Sequence, residues 1–455
     1  MTGRNRFAER DIEDRLDRLR SLNLPGEVFS GDLARWMDST RTWDEVLAWW
    51  KALLQERERQ EAPDRIQLYL HVPFCSSKCR FCQFDSVPLP DRDAIEVFLV
   101  ELERLTARFR EVLGPLRVSC VSVGGGTPSL LDQRQVSRAM RCLFEDLVIL
   151  PSGAFFSVEM NPESVSPGAV AAFATAGANR FSLGVQSLSR EVLRRAGRPY
   201  SGAARIGEAI RSIRAVGSAW VNLDLLAPLA AETADSIREA IATLLALEPD
   251  SLTLYRYQPV HRNGRIVSPG ALPFETASAL LLELAASAAF RETLITRTST
   301  IVMQRVPPWA ADRYEHHPDR PGSLLGLGPF SESHVFGHGL YRTDFSRDGR
   351  WSCRGLPLER GDEARWELAR CLARNRPVPR EEFRSRLGCD PVAVAPEVFR
   401  FLGDRGQVEV RPDRIQPRIP DPREAALLAG LVLDDVTLDR IASLVRSRAR
   451  EPNGR

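Results

Sequence analysis

Lysine is almost missing from this 455-residue chain: beyond Lys51 and Lys78, arginine carries the basic side. That bias is compositional and says little about mechanism. An excess of one charge is missing too. With 62 basic and 60 acidic residues the formal charge is +2, so the balance does not imply a polyanion-binding surface. A secretory leader pattern is not visible, because residues 1–20 are dense in Arg, Asp and Glu. The longest apolar run, around Ala277–Phe290, is interrupted by Glu283 and is too short to span a bilayer. Eight cysteines in this length make no disulfide scaffold, and no solenoid period repeats. The expectation is a protein of a reducing, cytoplasmic compartment that acts on a small molecule, with neither nucleic acid nor membrane as partner. At 43% hydrophobic residues it can bury a large core in more than one domain.

Three of the cysteines stand close together. Cys75, Cys79 and Cys82 follow the run Leu68-Tyr69-Leu70-His71-Val72-Pro73-Phe74. Three readings are open. The spacing would align the thiols on one helix face as small buried hydrophobes. A zinc site would recruit His71 or Asp85 as fourth ligand. A [4Fe–4S] cluster held by three thiolates would leave one iron open for a small molecule. Pro73 and the polar Ser76-Ser77-Lys78 favour a loop over a helix. Cys120, Cys142, Cys353, Cys371 and Cys389 are scattered and read as ordinary core or surface thiols.

From Arg65 onward, short apolar strands alternate with amphipathic runs. The strands fall at Gln67–Val72, Val118–Val123, Phe155–Met160, Arg180–Gly184, Trp220–Leu225 and Ser251–Tyr257. The helices fall at Ala94–Val112, Arg134–Glu145, Pro167–Ala176, Ala203–Val216 and Thr233–Leu247. This order predicts right-handed parallel βα units, in a barrel or partial barrel, with an open doubly wound sheet as competitor. Residues 1–64 are expected as an N-terminal helical extension, 65–350 as the barrel with a closing segment around Leu-Gly326-Leu-Gly328-Pro, and 351–455 as a small winged-helix-like domain. Its hairpin is expected near Gln407–Val410 and Arg414–Gln416, and its role as a cover.

Polar residues recur at successive strand ends. Gly124-Gly125-Gly126-Thr127-Pro128 follows the second strand and can expose backbone N–H donors. Glu159 ends the third, Gln186 the fourth with Arg198 soon after, and Asp224 the fifth. One such residue is an ordinary cap or ion pair. Together with the thiols they form a binding site at the barrel's active end, suited to a ligand with an amino-acid end, a ribose and a base. S-adenosylmethionine has these parts. His261, His316, His317, His334 and His338 lie on unplaced loops, where surface or structural roles are the simpler reading.

The run Tyr69-x-His71-x-Pro73-Phe74-Cys75-x-x-x-Cys79-x-Phe81-Cys82 resembles the radical S-adenosylmethionine superfamily, within it the branch containing oxygen-independent coproporphyrinogen III oxidase. Gly124–Pro128, Glu159-Met160-Asn161-Pro162, Arg180–Ser187 and Asn222–Leu225 keep that branch's order over roughly residues 65–400. The resemblance implies an α/β fold built on a partial (β/α)6 TIM-like barrel. It implies a [4Fe–4S] cluster on Cys75, Cys79 and Cys82, and cleavage of S-adenosylmethionine to a hydrogen-abstracting 5′-deoxyadenosyl radical. By the same matching, Tyr69, Gly125 and Glu159 contact the cluster-bound molecule, with Tyr69 and Glu159 as catalytic candidates. Phe81, Gly126, Thr127, Gln186, Arg198 and Asp224 match contacts to a second molecule. An electron donor such as flavodoxin or ferredoxin is implied as partner.

Three departures separate the chain from the oxidase pattern. Phe84 stands where the oxidase has a further cysteine, a guarding tyrosine segment is not found in residues 1–60, and Ala227-Pro228-Leu229-Ala230-Ala231 replaces Gly-Leu-Pro-Gly. They favour a C-methyltransferase or cyclopropanase of specialised metabolism using two molecules of S-adenosylmethionine, with a partner methyltransferase as a further expectation. The decarboxylating oxidase of haem biosynthesis and a haem chaperone are the alternatives.

Overall fold

Period-two alternation organises the central strands. One face carries Leu68 and Leu70, Val121 and Val123, Phe156 and Val158, Phe181 and Leu183, Val221 and Leu223, and Leu252 and Leu254, all buried in one apolar core. The opposite face carries Ser157 and Glu159, Arg180 and Ser182, Asn222 and Asp224, and Ser251 and Thr253. In the computed structural model these strands lie side by side with the apolar faces under a layer of helices. The structure describes residues 3–21, 39–60, 66–82, 84–89, 93–145, 147–217, 219–229, 232–257, 273–287, 291–297, 300–304, 322–345, 349–435, 437–439 and 443.

Six parallel strands, β1 (Ile66–Val72), β2 (Leu116–Gly125), β3 (Phe155–Met160), β4 (Arg180–Gln186), β5 (Trp220–Ala227) and β6 (Ser251–Arg256), run in sequence order. Five helices connect them: α1 (Asp93–Leu113), α2 (Gln133–Phe144), α3 (Pro167–Thr175), α4 (Ala203–Arg214) and α5 (Ala234–Leu245). The start of α2 is set by Asp132 in a capping box with Gln135, and that of α5 by Thr233 with Ser236. Helix α1 buries Ile95, Phe98, Leu99, Leu102, Leu105 and Phe109 along one stripe. The sheet then continues at both edges. Beyond β6 lie antiparallel β7 (Arg291–Arg297) and β8 (Thr300–Gln304), in the order β6-β8-β7. Beyond β1 lie β9 (Leu324–Leu327), parallel to it, and the meander β10 (Glu332–Val335), β11 (Gly339–Phe345) and β12 (Trp351–Pro357). The result is an α/β fold with a mixed sheet, consistent with a partial barrel.

Three expectations are altered. The Gly326–Gly328 segment flanks the first strand, with Gly326 in register with Tyr69, and does not lie across the strand ends. The main sheet runs on to Pro357 and also takes in Ser39–Arg41, so a boundary at 350 would cut it. Segment 1–64 divides between two cores. Trp43, Val46, Leu47, Trp50 and Leu53 join the barrel core, whereas Ile12, Leu16 and Leu19 pack with residues of the C-terminal region such as Phe399 and Leu428. Apolar spacing marks both segments as amphipathic helices but does not say which surface each covers. The C-terminal region holds helices Arg360–Ala373, Arg380–Leu387 and Pro396–Asp404 with a three-stranded sheet, in which Val408–Val410 and Arg414–Pro417 form the expected hairpin. Among the described residues no helix is long and apolar enough to cross a membrane.

Candidate functional site

Parallel strands bring their C-terminal ends to one side, and the cysteine loop is pinned there. After Pro73 the two-residue strand Phe74–Cys75 pairs with Val87–Pro88. The Val87 N–H donates to the Pro73 carbonyl at 2.8 Å and that of Leu89 to the Cys75 carbonyl at 2.9 Å. Residues 76–82 between are bends and turns, which removes the helical-stripe reading. Arg80 N–H donates to the Ala196 carbonyl at 2.8 Å and seats the loop on the short helix Arg190–Arg195.

The three thiols are half-buried and free. The Thr127 hydroxyl lies 3.6 Å from Cys75 Sγ, and Arg198 Nη1 lies 3.7 Å from Cys79 Sγ. Both are donors to sulfurs that must be thiolates to bind metal. Burial raises the Cys82 thiol, with the Lys78 ammonium acting the other way. The zinc reading loses its proposed fourth ligands. His71 uses both ring nitrogens, Nδ1 with the Tyr69 hydroxyl at 3.2 Å and Nε2 with the Asp85 carbonyl at 3.0 Å. The Asp85 carboxylate pairs with Arg342 at 2.8 Å. Among the described residues no three His, Cys, Asp or Glu side chains close around a single ion. Three thiols on one loop, served by the Thr127 and Arg198 donors, fit an iron–sulfur cube.

His71 is the structural joint of this region. It is 3% exposed, and desolvation lowers its pKa to about 4, so the imidazole is neutral at physiological pH. Gly125, at φ +103°, leaves the ring its space: a Cβ there would stand 2.6 Å from it. Gly328, at φ +95°, passes so close that a Cβ would meet the His71 carbonyl at 2.3 Å. The imidazole thus ties the far end of the cysteine loop to Tyr69, whose phenol burial holds well above its usual range.

Next to it is the carboxylate. The Gly125 N–H donates to Glu159, and a Cβ on Gly124 would meet Glu159 Oε2 at 2.7 Å. Glu159 is solvent-accessible on the polar face of the sheet. Desolvation, then repulsion from Asp224, raises its pKa to about 7, against the Arg180 charge and the Gly125 bond. Asp224 accepts from Ser182 Oγ at 2.6 Å and from Asn222 Nδ2 at 2.7 Å. Asn222, fully buried, also donates to Ser182 Oγ at 2.8 Å and accepts from Ser251 at 2.6 Å and Thr253 at 3.0 Å. Gln186 sits at a register shift with φ +69°. Its Nε2 and the Arg198 guanidinium converge over Gly184, whose carbonyl accepts from Arg198.

Tyr69, Cys75, Cys79, Cys82, Gly125, Gly126, Thr127, Glu159, Gln186, Arg198 and Asp224 therefore gather on one side of the sheet. Phe81 instead packs against an apolar satellite of Val192, Ala196, Leu229 and Tyr257 under the loop. His334 pairs with Glu363 at 2.6 Å and His338 with Glu56 at 3.4 Å, both structural, while His261, His316 and His317 lie outside the described residues. The inner-face polar group of Arg180, Ser182, Asn222, Ser251 and Thr253 was missed from sequence, although its period-two spacing was the signal. A cavity of about 300 Å³ between α1 and α2, lined by Glu103, Arg138 and Cys142 among others, lies in the outer helical layer, where Arg138 is paired with Glu96 and Glu103. It is no part of this site.

Residues 69–244 match the family model of the Radical SAM superfamily. The curated relatives the chain matches include oxygen-independent coproporphyrinogen III oxidases and haem chaperones. It is 36% identical to the Oxygen-independent coproporphyrinogen III oxidase of Paracoccus denitrificans (strain Pd 1222) over 48% of this chain and 50% of that one. It is 28% identical to the Heme chaperone HemW of Haemophilus influenzae over 42% and 50%. The chain spans about half the length of the curated relatives it matches. The structure of coproporphyrinogen III oxidase (HemN) from Escherichia coli superposes with a TM-score of 0.64 at 22% identity, covering 84% of this chain and 93% of that one, which shows the shared fold.

Proposed function

We propose that the chain is a radical S-adenosylmethionine enzyme that abstracts hydrogen from a tetrapyrrole-type organic substrate, in the manner of the oxidases it resembles. The observation that carries this reading is the meeting of the three-thiol loop with Glu159, Gln186, Arg198 and Asp224 at one set of strand ends. Cys75, Cys79 and Cys82 would hold the cluster. When bound, the cluster supplies the electron that cleaves S-adenosylmethionine, whose deoxyadenosyl fragment removes the substrate hydrogen. The protein's own part is placement. The Glu159 carboxylate offers an acceptor for ammonium and ribose groups, oriented by the Gly125 N–H that donates to it, while the Gly126 N–H holds the turn to the Val72 carbonyl. Tyr69, protonated and held by His71, offers a hydroxyl at the same edge. Arg198 presents a fork to a carboxylate, while Gln186 and Asp224 widen the polar surface toward a second molecule. The C-terminal three-stranded unit is read as a winged-helix-like cover.

The comparisons support the oxidase reading better than the C-methyltransferase or cyclopropanase expected from Phe84. Anaerobic incubation with reductant, S-adenosylmethionine and coproporphyrinogen III should release 5′-deoxyadenosine and carbon dioxide together. Formation of S-adenosylhomocysteine with no carbon dioxide would overturn it in favour of methyl transfer. Stoichiometric haem uptake with no turnover would overturn it in favour of the chaperone. Changing Cys75, Cys79 and Cys82 together to Ala should abolish iron and sulfide incorporation.

A further inference from the structure

Arg342 lies on β11, outside the six parallel strands, yet it reaches the cysteine loop. Its side chain is only 16% exposed, and each of its three nitrogens meets a different carboxylate. Nη2 lies 2.8 Å from Asp85, Nη1 3.7 Å from Glu332 on β10, and Nε 3.3 Å from Asp344 on its own strand. The Asp85 contact is the one that leaves the meander, spanning 257 positions to the far end of the cysteine loop. Because the guanidinium is mostly shielded from water, this pair holds where an exposed one would be screened.

Phe330 points the same way. It stands at φ +69°, a left-handed conformation that is costly for a bulky side chain. Its N–H donates to the Thr343 carbonyl at 2.6 Å, and the Thr343 N–H donates to that of Ser331 at 3.0 Å, so β11 holds the strained turn in place. There the Phe330 ring meets the His71 ring edge-on, centroids 6.0 Å apart, with the Arg342 guanidinium 5.4 Å from its centre. His71 Nε2 in turn meets the Asp85 carbonyl at 3.0 Å. Asp85, Arg342, Phe330 and His71 thus close a ring of contacts where the loop ends.

From Asp85 the restraint reaches the thiols. Lys78, the residue before Cys79, donates to the Phe84 carbonyl and to Ser86 Oγ at 2.9 Å, on either side of Asp85. Cys82 Sγ lies 3.8 Å from the same Phe84 carbonyl. We propose that Arg342 is a positioning residue of the thiol site: by gripping Asp85 it fixes the loop segment that sets where Cys79 and Cys82 stand. It acts through Asp85 and not on a thiol. The inference rests on the reading of Cys75, Cys79 and Cys82 as cluster ligands.

The test begins with the full chain as apoprotein, where alkylation by iodoacetamide, followed peptide by peptide, reports each thiol separately. Arg342→Gln and Asp85→Ala should each raise the rate at Cys82 at least fivefold. Combined, they should exceed the larger single effect by less than twofold, because both cut one link. Cys353, 1% exposed on the neighbouring β12, should stay within twofold of wild type. So should Cys82 in Arg354→Gln, which removes the other arginine partner of Asp344. After anaerobic reconstitution, the electron paramagnetic resonance lines of the reduced cluster should broaden in Arg342→Gln and Asp85→Ala and match wild type in Arg354→Gln. A smaller rise at Cys82 in either variant, or unaltered resonance lines, would overturn the proposal. So would a parallel rise at Cys353, which would mean that the meander itself had loosened, or an equal rise at Cys82 in Arg354→Gln. Failure of the cluster reading would look different: the wild type would take up no iron and sulfide while the alkylation pattern stood.

Discussion

Replacing Gly125 by alanine tests whether the His71 joint is built as the geometry indicates. Two separable costs arise. At φ +103° an L-residue is strained by about 1–2 kcal/mol. The new methyl would also lie 2.6 Å from a His71 ring held on both nitrogens, an overpacking worth about 1–3 kcal/mol. Gly125→Ala should therefore destabilise the barrel by about 2–5 kcal/mol. His71→Ala alone should cost about 2–4 kcal/mol through two lost hydrogen bonds and a cavity. In the double variant the ring is gone and only the backbone strain of Gly125→Ala remains. The two changes should then couple by about 1–3 kcal/mol, the double variant being more stable than the sum of the singles. Urea unfolding of the four apoproteins, followed by near-ultraviolet circular dichroism, measures this coupling. Additivity within about 0.5 kcal/mol would refute the close approach of Gly125 to the ring.

Two further outcomes follow from the inner face. Desolvation among the surrounding protein groups, then Asp224, raises the Glu159 pKa to about 7; a cationic ligand beside it favours the ionised form. S-adenosylmethionine should accordingly bind with proton release below pH 7, tightening as pH rises toward 7 and levelling above it. Calorimetry in two buffers of different ionisation heat should show this, and Glu159→Gln should abolish it; pH-independent binding in the wild type would contradict the assignment. Asn222→Ala should cost about 2–4 kcal/mol, since it strips partners from the buried Ser182, Ser251 and Thr253 hydroxyls as well as from Asp224. A midpoint in urea unchanged from wild type would show that the network carries no stability.

Local pattern determined most of the barrel and the outline of the site. Period-two and period-3.6 apolar spacing, with Gly and Pro punctuation, marked the six βα units within a few residues of β1–β6 and α1–α5. These signals are short-range, since they record which face of one element is apolar. The thiol triplet, the glycine turn and the carboxylate and amide at strand ends were legible for the same reason. Tertiary structure alone decided what depends on strand register and on chain returning from afar. Arg198 reaches Cys79 across 119 positions. Asn222 finds Ser182 and Thr253 only because parallel register sets β4, β5 and β6 in one layer. His71 reads in sequence as a motif residue or a zinc ligand. It becomes a neutral joint only when Gly125, Gly328 and the Asp85 carbonyl close around it. The helices near residues 12 and 46 look alike as amphipathic runs, yet one packs in the C-terminal core and the other in the barrel. A hydrophobic stripe states that a face must be buried, and complementary shape elsewhere in the chain determines where.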